Sequence, residues 1–184
     1  MTTYLAFLRG INVGGRNKIK MAELRHSLEE AGLQEVVTYI QSGNIIFRSD
    51  VNEDNLVKLI VAKLQTDFNL AVPVVIRTEE EIKGVRKRCP FTNEDITQAQ
   101  LTSAGESLYV GLLGEEPAQT KTDWLLSYQT EDDRCYIDGR NVYLLFSKSI
   151  RNSKLANHLL KMNVPATIRN WKTISKLAQM AEEH

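Results

Sequence analysis

The sequence contains few of the residues that would place it in several large classes of protein. Among 184 residues there are only two cysteines, Cys89 and Cys135, so no framework of disulfide bonds is indicated and a reducing compartment is expected. Basic and acidic residues number 23 each, which leaves no net charge. A protein dedicated to DNA or to a membrane surface usually carries a basic excess, so neither class is favoured.

Long apolar runs are also lacking. No stretch approaches the roughly 20 apolar residues that a membrane-spanning helix needs. The opening MTTYLAFLRG has neither the basic start nor the apolar core of a signal peptide. Apolar residues nevertheless make up 42% of the chain and charged residues 25%, which is typical of an ordinary globular protein. We therefore expect a soluble cytoplasmic protein that has no membrane partner.

Several catalytic and cofactor motifs are missing. The three histidines have no metal-ligand spacing relative to the cysteines, so neither a metal nor another cofactor is expected. The motifs G-x-S-x-G and G-x-G-x-x-G are absent. Gly10 and Gly15 fit the frame of a P-loop, but Arg16 and Asn17 stand where Lys and then Ser or Thr are required. This excludes an ordinary P-loop nucleotidase.

What is present indicates an α+β fold. Apolar periodicity in the first half predicts a strand, a helix, a hairpin, a helix and a strand, at residues 4–8, 21–31, 36–47, 57–68 and 72–77. This is the βαββαβ order of a ferredoxin-like unit, in which the first and third strands are neighbours at the centre of the sheet. We assign residues 1–78 to such a domain.

Residues 79–184 are predicted to form a second α+β domain that ends in helices. After a first helix, the polar stretch 89–107 is interpreted as a connector, and a strand, a helix and a hairpin follow it. Two helices are predicted at 154–162 and 168–181, and Thr167 is expected to cap the last one.

The two halves resemble each other in sequence. TYLAFLRG is similar to SLYVGLLG, and YIQSGNIIF is similar to YIDGRNVYLLF. We infer an internal duplication of a βαββα unit, and the alternative is chance similarity between short apolar strands. The first copy has a long basic loop after its first strand, whereas the second has the short acidic segment GEEPAQT. A functional site is therefore expected in the first copy.

That loop, within LRGINVGGRNKIKM, is rich in glycine and in basic residues. Backbone N–H groups in a glycine-rich turn before a helix converge on one point, where the helix dipole adds positive potential. Charged donors are supplied by Arg9, Arg16, Lys18 and Lys20. We predict an anion site here, with a solvated connection as the alternative. The loop is expected to be mobile, because it has few apolar residues to bury.

The turn of the first hairpin adds two polar candidates, Gln41 and Asn44, because a ferredoxin-like sheet places this hairpin beside the first strand. They are also ordinary turn residues. The full set of predicted anion-binding residues is Arg9, Gly10, Asn12, Gly14, Gly15, Arg16, Lys18, Gln41 and Asn44. An Arg in this loop and an Asn on a central strand also resemble acylphosphatase-like sites, where the Arg binds phosphate and the Asn positions water.

Three stretches carry a resemblance to a known family. FLRGINVGG, KMAELRHSLEEAGLQEVVTYIQSGNIIF and TIRNWKTISKL resemble the signature stretches of the bacterial domain of unknown function 1697 (DUF1697) family. The resemblance covers nearly the whole chain and implies an α+β fold and a soluble bacterial protein, but no reaction. Lys172 stands where Asn is common in the family, which puts in doubt any role for a side-chain amide there.

The leading functional hypothesis is a protein that binds a phosphate-bearing ligand or nucleic-acid phosphate at the first βα loop. One alternative is a structural or protein-interaction module that has no small-molecule site. The other is a phosphatase-like hydrolase that uses Arg9 or Arg16 together with Asn44. The sequence leaves both an enzyme and a binding protein open, and it does not set the oligomeric state.

Overall fold

The computed structural model describes all residues from 1 to 184. They divide into two compact units, residues 1–83 with 176–184, and residues 84–175. Each unit contains one four-stranded antiparallel sheet and packs helices on it. The predicted α+β class and the duplicated architecture are therefore confirmed. None of the helices is both long enough and apolar enough to cross a membrane.

The first unit follows the predicted order. Its elements are β1 (Thr2–Leu8), α1 (Met21–Glu30), β2 (Gln34–Tyr39), β3 (Asn44–Ser49), α2 (Glu53–Phe68) and β4 (Val74–Thr78). The strand order is β2-β3-β1-β4, and every neighbouring pair is antiparallel. This is the ferredoxin-like topology, with β1 and β3 adjacent at the centre. Helix α3 (Glu79–Lys87) follows β4 directly.

Helical spacing of apolar residues attaches α1 and α2 to this sheet. Leu24 and Leu28 of α1 and Ile60 of α2 are fully buried and belong to one core cluster with alternate residues of β1. Leu5 and Phe7, which point to the other face of β1, are also fully buried. The strand that leads into the candidate loop is thus fixed on both faces.

The second unit repeats the pattern with an added helix in front. Its elements are α4 (Asn93–Thr102), β5 (Leu108–Leu113), α5 (Gln119–Leu126), β6 (Asp133–Asp138), β7 (Asn141–Phe146), α6 (Lys154–Leu159), β8 (Ala166–Asn170) and the start of α7 (Trp171–Glu182). The strand order is β6-β7-β5-β8, which matches that of the first sheet position by position.

The hydrogen-bond registers of the two sheets match as well. Asn44 opens β3 opposite Phe7, and Asn141 opens β7 opposite Leu112. By the same register Tyr4 corresponds to Tyr109, so the sequence match between TYLAFLRG and SLYVGLLG has to be shifted by one residue. A backbone N–H at the end of each first strand also bonds to a proline carbonyl, from Arg9 to Pro73 and from Gly114 to Pro165.

The stretch interpreted as a connector contains a helix, α4. The sequence did not predict this helix because its composition is polar. Only Ala99 is buried, and the rest of the helix faces solvent or is partly covered. The start signal is nevertheless in the sequence. Thr92 Oγ1 accepts a hydrogen bond from Asp95 N at 3.1 Å, and Thr92 N donates to Asp95 Oδ2 at 2.9 Å. These two bonds form a capping box.

The last helix begins later than predicted, because residues 166–170 form the edge strand β8. Ala166 and Ile168 pair with β5, and this gives the second sheet its fourth strand. Thr167 is buried within the strand and is not the helix cap that we predicted. The cap is Asn170, whose Oδ1 accepts from Thr173 N at 2.8 Å. A five-residue strand joined directly to a helix leaves no turn signal between them.

Candidate functional site

The loop from residue 9 to residue 20, called the β1–α1 loop below, folds back on itself in a tight turn. Arg16 N donates to Val13 O at 2.9 Å, and the two residues form an isolated antiparallel bridge. Gly14 and Gly15 lie between them with φ of 58° and 73°. Positive φ at both central residues is the requirement of a type I′ turn, so these glycines shape the turn.

Asn12 ties the loop together. Its Nδ2 donates to Ile19 O at 3.1 Å and to Gln41 O at 2.8 Å, and its Oδ1 accepts from Ile19 N at 2.9 Å. The carboxamide therefore joins the start of the loop, its end and the turn of the β2–β3 hairpin. Asn17 Nδ2 adds a bond to Gly10 O at 2.8 Å. The expectation of a mobile loop rested on its small number of apolar residues. The hydrogen bonds of Asn12 and Asn17 are additional restraints that this expectation did not include.

Two isoleucines anchor the loop to the core, and a glycine makes room for one of them. Ile11 and Ile19 are buried, whereas Val13 is 61% exposed at the tip. Gly43, in the hairpin turn, has φ of 85°, and a Cβ there would lie 2.7 Å from Leu8 Cβ and 2.9 Å from Ile11 Cδ1. The backbone of the hairpin turn can approach the loop only because this residue is glycine.

A groove of about 630 Å³ opens beside the loop, at the first turn of α1 and the last residue of α2. Of the predicted site residues, the groove brings together Asn12, Gly15, Lys18 and Gln41. Its other lining residues are Ile19, Lys20, Glu23 and Phe68. Sequence reasoning missed Glu23 and Phe68 as site residues, because both fit helical patterns, one on the polar face of α1 and the other on the apolar face of α2.

The remaining predicted residues do not line this groove: Arg9, Gly10, Gly14, Arg16 and Asn44. Arg16 is exposed beside the loop tip. Asn44 is fully buried, and its Nδ2 donates to Tyr39 O at 3.2 Å and to Ser42 Oγ at 2.9 Å. Its amide therefore has structural partners and no solvent-facing surface.

The groove contains charges that are not neutralised by neighbours. Lys18 and Lys20 are exposed, and neither forms an ion pair. By contrast, two other lysines are paired: Lys63 Nζ lies 2.7 Å from Asp67 Oδ2, and Lys83 Nζ lies 3.0 Å from Glu79 Oε1. Lys20 is also the N-cap residue of α1 and provides no side-chain cap, so the N–H groups of the first turn keep their capacity to bind an acceptor. Two free ammonium groups thus accompany an uncapped helix start.

A second cavity, of about 480 Å³, adjoins the groove along α1. The two cavities share Glu23 and Phe68 in their walls, and the second is otherwise lined by Ala22, His26, Ser27, Glu30 and Asp67. Lys63 Nζ and Ser27 Oγ both donate to the carboxylate of Asp67, at 2.7 Å and 2.5 Å. These two hydrogen bonds lower the pKa of Asp67 below its usual value, so it is ionised at neutral pH.

Together, the fold and the groove define a class: an α+β protein made of two ferredoxin-like units, with an open, partly cationic groove at the first βα loop. The family model described as "Protein of unknown function (DUF1697)" matches residues 1–143, and the chain belongs to this family. The resemblance to this family is thereby confirmed over residues 1–143, which include the first two of the three stretches that carried it. No functionally curated protein matches the chain.

A solved structure of similar fold is that of the conserved bacterial protein SP0830 from Streptococcus pneumoniae. The two chains are 28% identical, the similarity covers 98% of each chain, and the TM-score is 0.72. Both units of the present fold are therefore included in the similarity.

Proposed function

We propose that the protein binds a small phosphate-bearing ligand in the groove between the β1–α1 loop and the end of α2. This proposal rests on one observation: the ammonium groups of Lys18 and Lys20 form no ion pair, and both lysines line a cavity of about 630 Å³. The cavity lies beside the start of α1, which has no side-chain cap. A cavity of this volume is within the range of small-molecule sites.

The chemistry of the groove suits a phosphate group at one end of the ligand. The positive end of the α1 dipole and the N–H groups of its first turn favour an anion. Lys18 and Lys20 add charge-assisted hydrogen bonds, and their flexible stems allow both to converge on one phosphate. Phe68 offers an apolar wall for the remainder of the ligand. Asn12 keeps the loop in place but has no donor left for the ligand.

The small ligand is favoured over nucleic acid because the chain has no net charge and the groove holds only two free cations. A nucleic-acid strand needs a row of phosphate contacts, and its binding weakens steeply with salt. The phosphatase-like alternative is not favoured. It requires Asn44 to position a water molecule, but Asn44 is fully buried and its amide is hydrogen-bonded within the protein. One observation supports an interaction module instead: Val13 and Ile40 are 61% and 51% exposed.

The proposal is tested by thermal-shift titration with inorganic phosphate, sugar phosphates, nucleotides and short RNA at two salt concentrations. A specific ligand raises the Tm of the wild-type protein in proportion to the logarithm of its concentration. We expect Lys18→Ala and Lys20→Ala each to weaken binding about tenfold, the scale of one charge-assisted hydrogen bond. Lys58→Ala is the matched control, because Lys58 is an exposed, unpaired lysine on α2 away from the groove.

The result that would overturn the proposal is an equal affinity in all four proteins for every compound, together with no anion density near residues 9–23 in a phosphate-soaked crystal. Binding of RNA alone, with a steep salt dependence, would replace the small ligand by nucleic acid.

A further inference from the structure

Glu23 stands at the junction of two cavities that differ in charge. The first contains Lys18 and Lys20, and the second is lined by three carboxylates: Glu23 itself, Glu30 and Asp67. Glu23 comes three residues after Lys20, the N-cap residue of α1, and both residues line the first cavity. A ligand that lies in both cavities therefore passes from a cationic to an anionic environment within a short distance.

The carboxylate of Glu23 has no partner within the protein. It forms no ion pair or hydrogen bond, although Glu23 occupies the third position of α1, from which a glutamate could bond back to the N-cap N–H. An acidic residue in the first turn also stabilises the helix dipole, but that role does not require it to line a cavity.

The other two carboxylates already have cationic neighbours. Asp67 Oδ2 lies 2.7 Å from Lys63 Nζ. The carboxylate of Glu30 lies 3.3 Å from His26 Nε2 and 4.0 Å from Lys63 Nζ. One lysine serves two carboxylates here, and His26 adds charge only when it is protonated. The second cavity thus keeps an excess of negative charge, and Glu23 is its unneutralised group.

We infer that the ligand carries an amine a short alkyl chain away from its phosphate, as in an aminoalkyl phosphate. This inference rests on the proposed function. The phosphate binds Lys18 and Lys20, the ammonium group binds the carboxylate of Glu23, and the alkyl chain lies against Phe68. Lys18, Lys20, Glu23 and Phe68 line the same groove, so one small ligand can contact all four side chains.

The test compares ligands that differ only in the amine. Phosphoethanolamine and ethyl phosphate have the same phosphate and the same two-carbon chain, and ethanolamine lacks the phosphate. Isothermal titration with the 184-residue chain is expected to give an affinity for phosphoethanolamine about three- to fivefold above that for ethyl phosphate, the scale of one exposed ion pair. In Glu23→Gln this ratio falls to about one, while the affinity for ethyl phosphate is kept or increased. Glu29→Gln is the matched control, because Glu29 is an exposed residue of α1 that lines neither cavity.

The outcomes separate this inference from the proposed function. If ethyl phosphate binds but the amine adds nothing in wild-type protein, or if Glu23→Gln leaves the ratio unchanged, the inference fails and the phosphate site stands. If neither phosphate compound binds, both fail. If the amine does increase the affinity, co-sedimentation with phosphatidylethanolamine vesicles, compared with phosphatidylcholine vesicles, distinguishes the two sources of such a ligand. Binding to the vesicles indicates a lipid headgroup, and its absence indicates a free small molecule.

Discussion

Asn12 shows how much of the candidate site depends on one side chain. Three hydrogen bonds from its carboxamide join both ends of the β1–α1 loop to the hairpin turn, and φ at this residue is 52°. Asparagine tolerates that left-handed conformation better than most other residues. The sequence predicted Asn12 as a binding residue, and in the structure its carboxamide bonds to the backbone of Ile19, which lies between Lys18 and Lys20.

Gly43 is the residue at which we expect the largest effect of adding one methyl group. In Gly43→Ala the new Cβ meets Leu8 and Ile11 at less than 3.0 Å, and the residue keeps a positive φ of 85°. Clash and strain together are expected to cost about 2–4 kcal/mol of the free energy of unfolding. Thermal unfolding measures this as a decrease in Tm of roughly 5–15 °C.

Gly14→Ala is the control for this experiment. Gly14 also has a positive φ, 58°, but a Cβ there has nothing within 4 Å. It therefore isolates the conformational strain, which is about 1–2 kcal/mol. Equal losses in the two variants would show that the close approach of the hairpin turn to Leu8 and Ile11 does not matter.

At the scale of helices and strands, the sequence predicted those elements whose apolar periodicity is strong. The six elements from β1 to β4 agree with the predicted bounds to within a few residues, and β5, α5 and the β6–β7 hairpin occur in the predicted order. Helix α4 was missed because burial of Ala99 alone leaves no periodic apolar stripe. Strand β8 was missed because the apolar spacing of α7 was extended backwards through Ile168, which belongs to the strand.

The candidate site was predicted in part for a related reason. The basic, glycine-rich composition of the β1–α1 loop identified Asn12, Gly15 and Lys18 of the groove directly, and the turn of the first hairpin added Gln41. Glu23 and Phe68 come from two helices, and only tertiary packing brings them to the same groove. The sequence also could not show that Gly14 and Gly15 form a type I′ turn, since a glycine pair fits both a turn and an open cradle for an anion.

The capping box of α4 makes a prediction at this scale. Thr92→Ala removes the acceptor for Asp95 N and is expected to cost about 1 kcal/mol, because a polar helix with little buried surface depends on its cap. Hydrogen exchange should become faster in residues 93–102 than elsewhere in the chain. Thr97→Ala is the control, because its hydroxyl bonds only within the exposed helix. Unchanged protection of α4 in Thr92→Ala would contradict the assignment.

At the scale of the whole molecule, the two units share a topology but differ at the loop where the site is proposed. The registers of both sheets coincide, down to an asparagine that opens the third strand and a proline carbonyl that accepts from the end of the first. These shared features lie in the sheets and their hydrogen bonds. The long basic loop occurs in the first unit alone, whereas the corresponding loop after β5 has only five residues between strand and helix, two of them glutamates.

The end of the chain is predicted to stabilise the first unit. Residues 176–184 belong to that unit together with residues 1–83, although the second unit lies between them in sequence. Within this segment Leu177 is buried to 1% exposure, and Glu182 lies 3.9 Å from Lys83. Deletion of the segment removes this buried surface, and Leu177→Ala alone is expected to cost about 2–5 kcal/mol.

Hydrogen exchange followed by mass spectrometry measures where this loss falls. In the deletion variant, protection should decrease first in β1, β3 and β4, and less in β5 and β7. Deletion of residues 183–184 is the control, because it leaves Leu177 and Glu182 in place. If the longer deletion instead reduced protection in residues 84–175 and left residues 1–83 unchanged, the segment would not contribute to the first unit. The expected result places the stability of the unit that contains the proposed site under the control of the last nine residues of the chain.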